Sequence, residues 1–330
     1  MRFIIYGAGA IGGVLGGRLF EHDHDVVLIA RGDHHDAIRE NGLRIESPAT
    51  TVTLAVPVVD RPAAIDLRAD DVVIFAMKTQ HTADAADELA DVAPTSVRVV
   101  SAQNGVENER TLLRRFEHVY GICVMCPATH LEPGVVRAYS TPITGLLDVG
   151  RWLGGLDRVA ESIATALRVS TFESEPRPDI ARWKYGKLIM NLANSIEALC
   201  GRAERGGTLA RMARAEGIEA LNAAGIAFVD RDEDRARRGD LMTMGEIDGE
   251  ARGGGSSWQS LERGTGNIET DYLNGEIVLL GRTHGVSTRT NALLQQRARL
   301  AAKSGLAPGT VDPQELLTEL GVGPSETPSI

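Results

Sequence analysis

The sequence predicts an α/β protein, with an N-terminal doubly wound parallel sheet followed by an all-α second domain. Three observations carry this. An apolar strand, Arg2-Phe3-Ile4-Ile5-Tyr6, runs into a glycine-rich turn and then a helix. Strand-like and helix-like runs alternate up to Pro176. Past Pro176 and Pro178 the apolar spacing turns helical and strand signals disappear. A chain of 330 residues fits two domains better than one. The boundary is placed at residue 176, giving an α/β domain over 1–176 and a helical domain over 177–320. A Gly/Pro/Ser-rich tail over 321–330 is expected to be disordered.

Each element has a local reason. Asp25 to Ala30 reads as the second strand. Asn41 to Val59 carries short alternating runs with Pro48 and Pro57, as in a hairpin excursion. Asp71 to Ala76 is an apolar run bounded by charge, the pattern of a central parallel strand. Thr82 to Ala93 is Ala-rich and helical; Val97 to Ser101 and Val119 to Val124 are further strands. Pro133-Gly134 marks a tight turn. Leu156 to Leu167 reads as a helix and Val169 to Phe172 as a strand. Ile180 to Leu199, Leu209 to Phe228, Ile268 to His284 and Asn291 to Ala302 read as helices. Gly253-Gly254-Gly255 is a close-approach point or a hinge between helices.

Composition narrows the function classes. A formal net charge of −10 disfavours nucleic acid and anionic membrane surfaces as partners. No apolar run reaches the ~18 residues of a spanning helix, and the N-terminus lacks a signal pattern, so the expectation is a cytoplasmic protein. Cys123 and Cys126 form a C-x-x-C inside an apolar run and are read as packing residues, with no metal expected.

Gly7-Ala8-Gly9-Ala10-Ile11-Gly12 is G-x-G-x-x-G between a strand and a helix. In that context the first glycine permits the tight turn, the second lets backbone approach a pyrophosphate, and the third lets helix and strand pack closely. The helix N-terminus then faces the anion. This is the Rossmann arrangement for a dinucleotide. After the second strand, where an acid would take the 2′-hydroxyl of NAD, the chain has Arg31. A guanidinium there favours a 2′-phosphate, so NADPH/NADP+ is the expected cofactor.

Two groups of residues offer chemistry. Lys78 and Asn104 follow consecutive strands at the sheet edge where open α/β sheets bind ligands. Lys187, Asn191, Asn194 and Ser195 share one helical face among apolar neighbours, a polar stripe that is costly to bury unless paired or functional. Ser256-Ser257 follow the triple glycine, and Glu269 lies on the helix after them. On spacing alone Glu262 or Asp271 serves equally well as the acid.

Together these pieces resemble the ketopantoate reductase (2-dehydropantoate 2-reductase) family over residues 1 to about 303. The resemblance rests on G-A-G-A-I-G at 7–12, Arg31, Met77-Lys78-Thr79, Gln103-Asn104-Gly105, Lys187-Leu188 with Asn191, Ser256-Ser257, and Glu269-Thr270-Asp271-Tyr272-Leu273-Asn274-Gly275. It implies a Rossmann domain joined to a helical domain like the C-terminal domain of 6-phosphogluconate dehydrogenase, with the site in the cleft between them. It implies that Lys187 is the general acid and that Glu269 holds the substrate hydroxyl and orients the lysine. Asn104, Asn191, Ser195 and Ser257 match substrate-side positions, and Lys78 and Asn104 match cofactor contacts. The chain departs from the family pattern at Ser195, Leu261, Tyr185 and Arg289, around the substrate.

The expected activity is NADPH-dependent reduction of 2-dehydropantoate to (R)-pantoate, toward pantothenate and coenzyme A. Reduction of another 2-oxo acid or an imine, or a non-catalytic NADPH-binding regulator, are the alternatives. The expected partner is a small 2-oxo acid. The apolar faces of the helices at 209–228 and 268–280 leave room for a homodimer.

Overall fold

The opening strand forms as β1 (Arg2–Tyr6), followed by α1 (Ala10–Glu21), β2 (Asp25–Ile29) and α2 (Gly32–Asn41) in the computed structural model, which describes residues 1–323. β3 (Leu43–Glu46) and β4 (Thr51–Leu54) make the expected hairpin. The short β5 (Val58–Val59) then returns to pair in parallel with β2. β6 (Val72–Phe75), α3 (Thr82–Ala90), β7 (Arg98–Ser101), α4 (Glu107–Leu113) and β8 (His118–Met125) continue the alternation.

β9 (Ala128–Thr129), β10 (Val135–Ala138), β11 (Ser140–Pro142) and β12 (Gly145–Arg151) precede α5 (Arg158–Val169) and β13 (Phe172–Glu173). Val169 therefore ends a helix, and the strand expected over 169–172 shrinks to β13. Ser170 N–H closes the helix on the Leu167 carbonyl at 3.0 Å, and Thr171 turns the chain with φ of 68°.

Eight strands form one sheet in the order β13-β12-β8-β7-β6-β1-β2-β5. From β5 to β8 every neighbouring pair is parallel, and β12 runs antiparallel to β8. Strand order reverses direction between β1 and β6. That switch leaves a crevice at the carboxyl ends of the strands. Alternation along β1 sends Phe3 and Ile5 into one core and Ile4 and Tyr6 into the other, where Ala85, Ala86 and Leu89 of α3 lie. A second sheet, β4-β3-β10-β9, covers α1. The glycines of α1 permit this approach. A Cβ on Gly13 would stand 2.7 Å from a methyl of Val136 of β10, and one on Gly17 would overlap a methyl of Ile45 of β3.

The remaining elements are α6 (Ile180–Asn191), α7 (Ala193–Cys200), α8 (Thr208–Ala223), α9 (Arg231–Arg238), β14 (Met242–Met244), α10 (Ser256–Glu262), α11 (Asn274–His284), α12 (Arg289–Ser304) and α13 (Pro313–Glu319). Two expected helices are interrupted. The one over 180–199 divides at Leu192 into α6 and α7. The one over 268–284 is a 3₁₀ turn, Glu269–Tyr272, followed by α11, because Leu273 adopts ψ of −87° and cannot carry an α-helix through.

Two compact units emerge: Met1–Lys184 with Asp230–Arg252, and Tyr185–Val229 with Gly253 onward. The division lies beyond the residue 176 expected from sequence. Pro178 looks like a domain start, yet Ile180 packs against Gly150 of β12, and Lys184 bonds to Gln103 and Glu109. The segment 230–252 also returns to the first unit and contains a strand where none was expected. β14 pairs with β11, and Arg237 of α9 donates to the buried Asp148 at 2.7 and 3.0 Å. Arg177 donates to the same carboxylate at 2.9 Å. The tail expected to be disordered over 321–330 lies outside the described residues from 324 onward.

Cys123 is buried in β8 and Cys126 follows it; both keep their thiols, which donate to the Trp183 and Thr144 carbonyls at 3.7 Å. Among the described residues no helix is long and apolar enough to cross a membrane.

Candidate active site

In the first unit, four neighbouring parallel strands deliver the predicted residues at their carboxyl ends. β1 leads to Gly7–Gly12, β2 to Arg31, β6 to Lys78 and β7 to Asn104. Sheet order therefore does what sequence order does not: it sets residues from four separate segments along one rim.

The glycine turn has the shape of an anion cradle. Gly7 has φ of 98°, which favours glycine, and a Cβ there would lie 2.8 Å from the Met77 amide nitrogen. A Cβ on Gly12 would overlap the Gly7 carbonyl oxygen. Gly9, by contrast, has nothing within 4 Å of a Cβ, and it caps α1 without a side-chain bond. The first turn of α1 thus opens toward space with its N–H groups uncapped by any side chain, the arrangement a pyrophosphate needs. The residues present fit a dinucleotide.

His34 of α2 braces this turn. Gly134 N–H donates to its Nδ1 at 2.9 Å, which leaves the Nε2 hydrogen to donate to the Ala8 carbonyl at 2.7 Å. His130 lies against it with ring centroids 4.1 Å apart and planes tilted by 45°. Burial, and then the neighbouring His130, push the His34 ring down to about 4. The sign follows directly. The unfolded chain takes up a proton near pH 6.5 while the folded chain resists until about 4. Stability from His34 is complete above pH 6.5 and is lost as pH falls toward 4. Allowing for the ring's partial exposure, the loss is about 1–2 kcal/mol. Urea midpoints at pH 7 and pH 5 measure it, and His34→Asn should remove this part of the pH dependence.

A buried polar network supports Lys78 and Asn104 from below. Gln103 Nε2 donates to the Met77 carbonyl at 2.9 Å and to Thr82 Oγ1 at 2.8 Å. Asn108 Nδ2 donates to the Asn104 carbonyl at 2.9 Å and to Thr79 Oγ1 at 3.2 Å. Lys184 Nζ donates to the Gln103 carbonyl at 2.9 Å and pairs with Glu109. Both charges of that pair are buried, and Glu109 Oε2 has no hydrogen-bond partner among the described residues. Gly121 of β8 makes the room: a Cβ there would lie 3.1 Å from Glu109 Oε1.

In the second unit the predicted stripe divides. Lys187 and Asn191 of α6 are half-buried, whereas Asn194 and Ser195 are buried. Asn194 accepts from Arg205 at 2.9 Å. Ser195 donates to Asn274 Oδ1 at 2.6 Å and lies 3.1 Å from Thr270 Oγ1. The Ser195 hydroxyl thus joins α7 to α11. Ser257 of α10 is buried, and its hydroxyl has no hydrogen-bond partner among the described residues.

Glu269 is buried on its 3₁₀ turn. Arg263 lies close enough for the two charges to interact; burial lowers the arginine's proton affinity and Glu269 opposes this. Arg263 was not singled out from sequence, although it is the sole cation between Ser257 and Glu269. The triple glycine is a close approach: a Cβ on Gly253 would lie 2.9 Å from the Trp258 ring, and one on Gly255 would lie 2.7 Å from Glu197 Oε2.

Residues 3–152 match the family described as ketopantoate reductase PanE/ApbA, and residues 179–302 match its C-terminal counterpart. A 2-dehydropantoate 2-reductase of Archaeoglobus fulgidus is 31% identical over 313 residues, 92% of this chain and 99% of its own. A PanE/ApbA family ketopantoate reductase structure from Ralstonia eutropha aligns with a TM-score of 0.77 at 28% identity, over 92% of this chain and 99% of that one. A D-mandelate dehydrogenase solved with NADH and anilino(oxo)acetate shares the fold, with a TM-score of 0.79 at 21% identity over 92% and 99% of the two chains. With both of its parts matched, this chain belongs to the ketopantoate reductase family.

Proposed function

We propose that this protein reduces 2-dehydropantoate to (R)-pantoate with NADPH. The observation that carries the reading is the cradle at Gly7–Gly12, set on one rim with Arg31, Lys78 and Asn104 in a chain that belongs to this family throughout. Gly7 to Gly12 and the first turn of α1 hold the pyrophosphate, Arg31 meets the 2′-phosphate, and Lys78 and Asn104 line the cofactor. The bound nicotinamide supplies the hydride that reduces the 2-oxo carbon.

Lys187 gives its proton to the carbonyl oxygen as negative charge develops there, and its ammonium stabilises that charge before the transfer is complete. The neutral amine then regains a proton from solvent. Glu269 holds the substrate hydroxyl and keeps the lysine charged and oriented. Asn104, Asn191 and Ser257 bind substrate, with the Ser257 hydroxyl satisfied by it.

One observation favours a second reading. Ser195, where the family often carries an amide, has its hydroxyl committed to Asn274 and Thr270. The lost polar partner suits a different short 2-oxo acid. The deciding assay follows loss of nicotinamide absorbance with 2-dehydropantoate and a panel of 2-oxo acids. Fastest turnover on 2-dehydropantoate is expected. Turnover confined to another acid selects the second reading. Tight dinucleotide binding with no turnover on any substrate means a regulator, and both readings fail.

A further inference from the structure

Past the end of β2 the first unit has a cavity of about 500 Å³, lined in part by Arg31, Asp60, Arg61, Glu88 and Asp91. One oxygen of Glu88, Oε2, accepts from the Tyr6 hydroxyl at 2.5 Å and also pairs with Arg31 Nη2. Tyr6 ends β1 directly before Gly7, and Arg31 follows β2. The carboxylate therefore stands by the ends of the two strands whose turns hold a dinucleotide. An acid near this place usually comes from the end of the second strand and takes the adenosine 2′-hydroxyl. Here β2 supplies a cation instead, and the acid arrives from α3.

We propose that Glu88 is a specificity-determining residue that sets the balance between NADPH and NADH, opposing Arg31 at the same 2′ position. The inference rests on the reading that Gly7–Gly12 binds a nicotinamide dinucleotide. A 2′-hydroxyl is a donor and suits the carboxylate. A 2′-phosphate is repelled by it and has to draw Arg31 out of its existing pair. The Arg31 side chain is 60% exposed and that of Glu88 45%, so the pair is solvated and yields to a ligand at small cost. Burial, and then the hydrogen bond to Glu88, raise the Tyr6 phenol well above its ordinary range, so it remains a donor and holds the carboxylate in place.

The test measures Kd for NADPH and for NADH by fluorescence titration of wild type, Glu88→Gln and Arg31→Ala. Glutamine keeps the shape and an acceptor for Tyr6 while removing the charge. With one like charge gone from beside the phosphate, Glu88→Gln should bind NADPH about tenfold more tightly and NADH a few-fold more weakly. Arg31→Ala should move the ratio the other way. An unchanged ratio of the two constants in Glu88→Gln, with both dinucleotides still binding, overturns the role of Glu88 and leaves the cofactor reading standing. Failure of wild type to bind either dinucleotide overturns both.

Discussion

Lys187→Ala should lower kcat roughly a hundred- to ten-thousand-fold, the range over which a positioned general acid acts, while Kd for NADPH stays near its wild-type value. The two quantities separate because the residues proposed to hold the dinucleotide belong to the first unit and Lys187 belongs to the second. An ammonium contributes most when the carbonyl oxygen carries charge, so the loss falls on kcat and kcat/KM together. Lys187→Arg should rescue little, because a guanidinium keeps its proton under all working conditions. Stopped-flow turnover beside equilibrium NADPH binding checks both halves. A variant without Lys187 that reduces substrate at close to the wild-type rate removes the lysine from the mechanism.

The second large effect concerns the other lysine of α6. Lys184 stands one turn before Lys187, but it is buried against Glu109, whose second oxygen already lacks a partner among the described residues. Lys184→Met strands a carboxylate in the core, and the expected cost is about 3–5 kcal/mol. The double variant Lys184→Met with Glu109→Leu removes both charges and should recover most of that stability. Urea unfolding of the three proteins supplies the cycle. A single variant as stable as wild type would mean that water reaches Glu109. Lys184→Met thus fails in stability and Lys187→Ala in turnover, although the two lysines stand three residues apart on one helix.

What the sequence disclosed follows from the range of the forces involved. The glycine turn was legible because each glycine has a cause within a few residues or on the adjacent strand. Lys78 and Asn104 were legible because apolar runs mark where their strands stop. Periodicity follows apolar faces, and it was blind to α9, whose residues are all charged except Ala236. That helix is held by the Asp230 cap, at 2.9 Å to both Asp232 N–H and Glu233 N–H, and by arginine–carboxylate pairs. β14 is three residues long, and its partner lies a hundred residues earlier. The bond from Ser195 to Asn274 spans 79 residues, beyond the reach of any local pattern. Glu88 sits on the charged side of an Ala-rich helix, where a solvated acid is the ordinary case. Only the sheet order brings it to Tyr6 and Arg31.

The return of Arg237 to Asp148 also bears on how the chain is made. Asp148 leaves the ribosome early, and the arginine that completes its shell follows 89 residues later. At ordinary rates of synthesis that interval is on the order of ten seconds. Through it the nascent first unit holds a buried carboxylate with only Arg177 and the Glu175 amide to answer it. A fragment ending at Lys184 would remain in that condition permanently. The first unit is complete only once residue 252 has emerged, so the nucleotide-binding half of this protein cannot finish folding before much of the helical half has been synthesised.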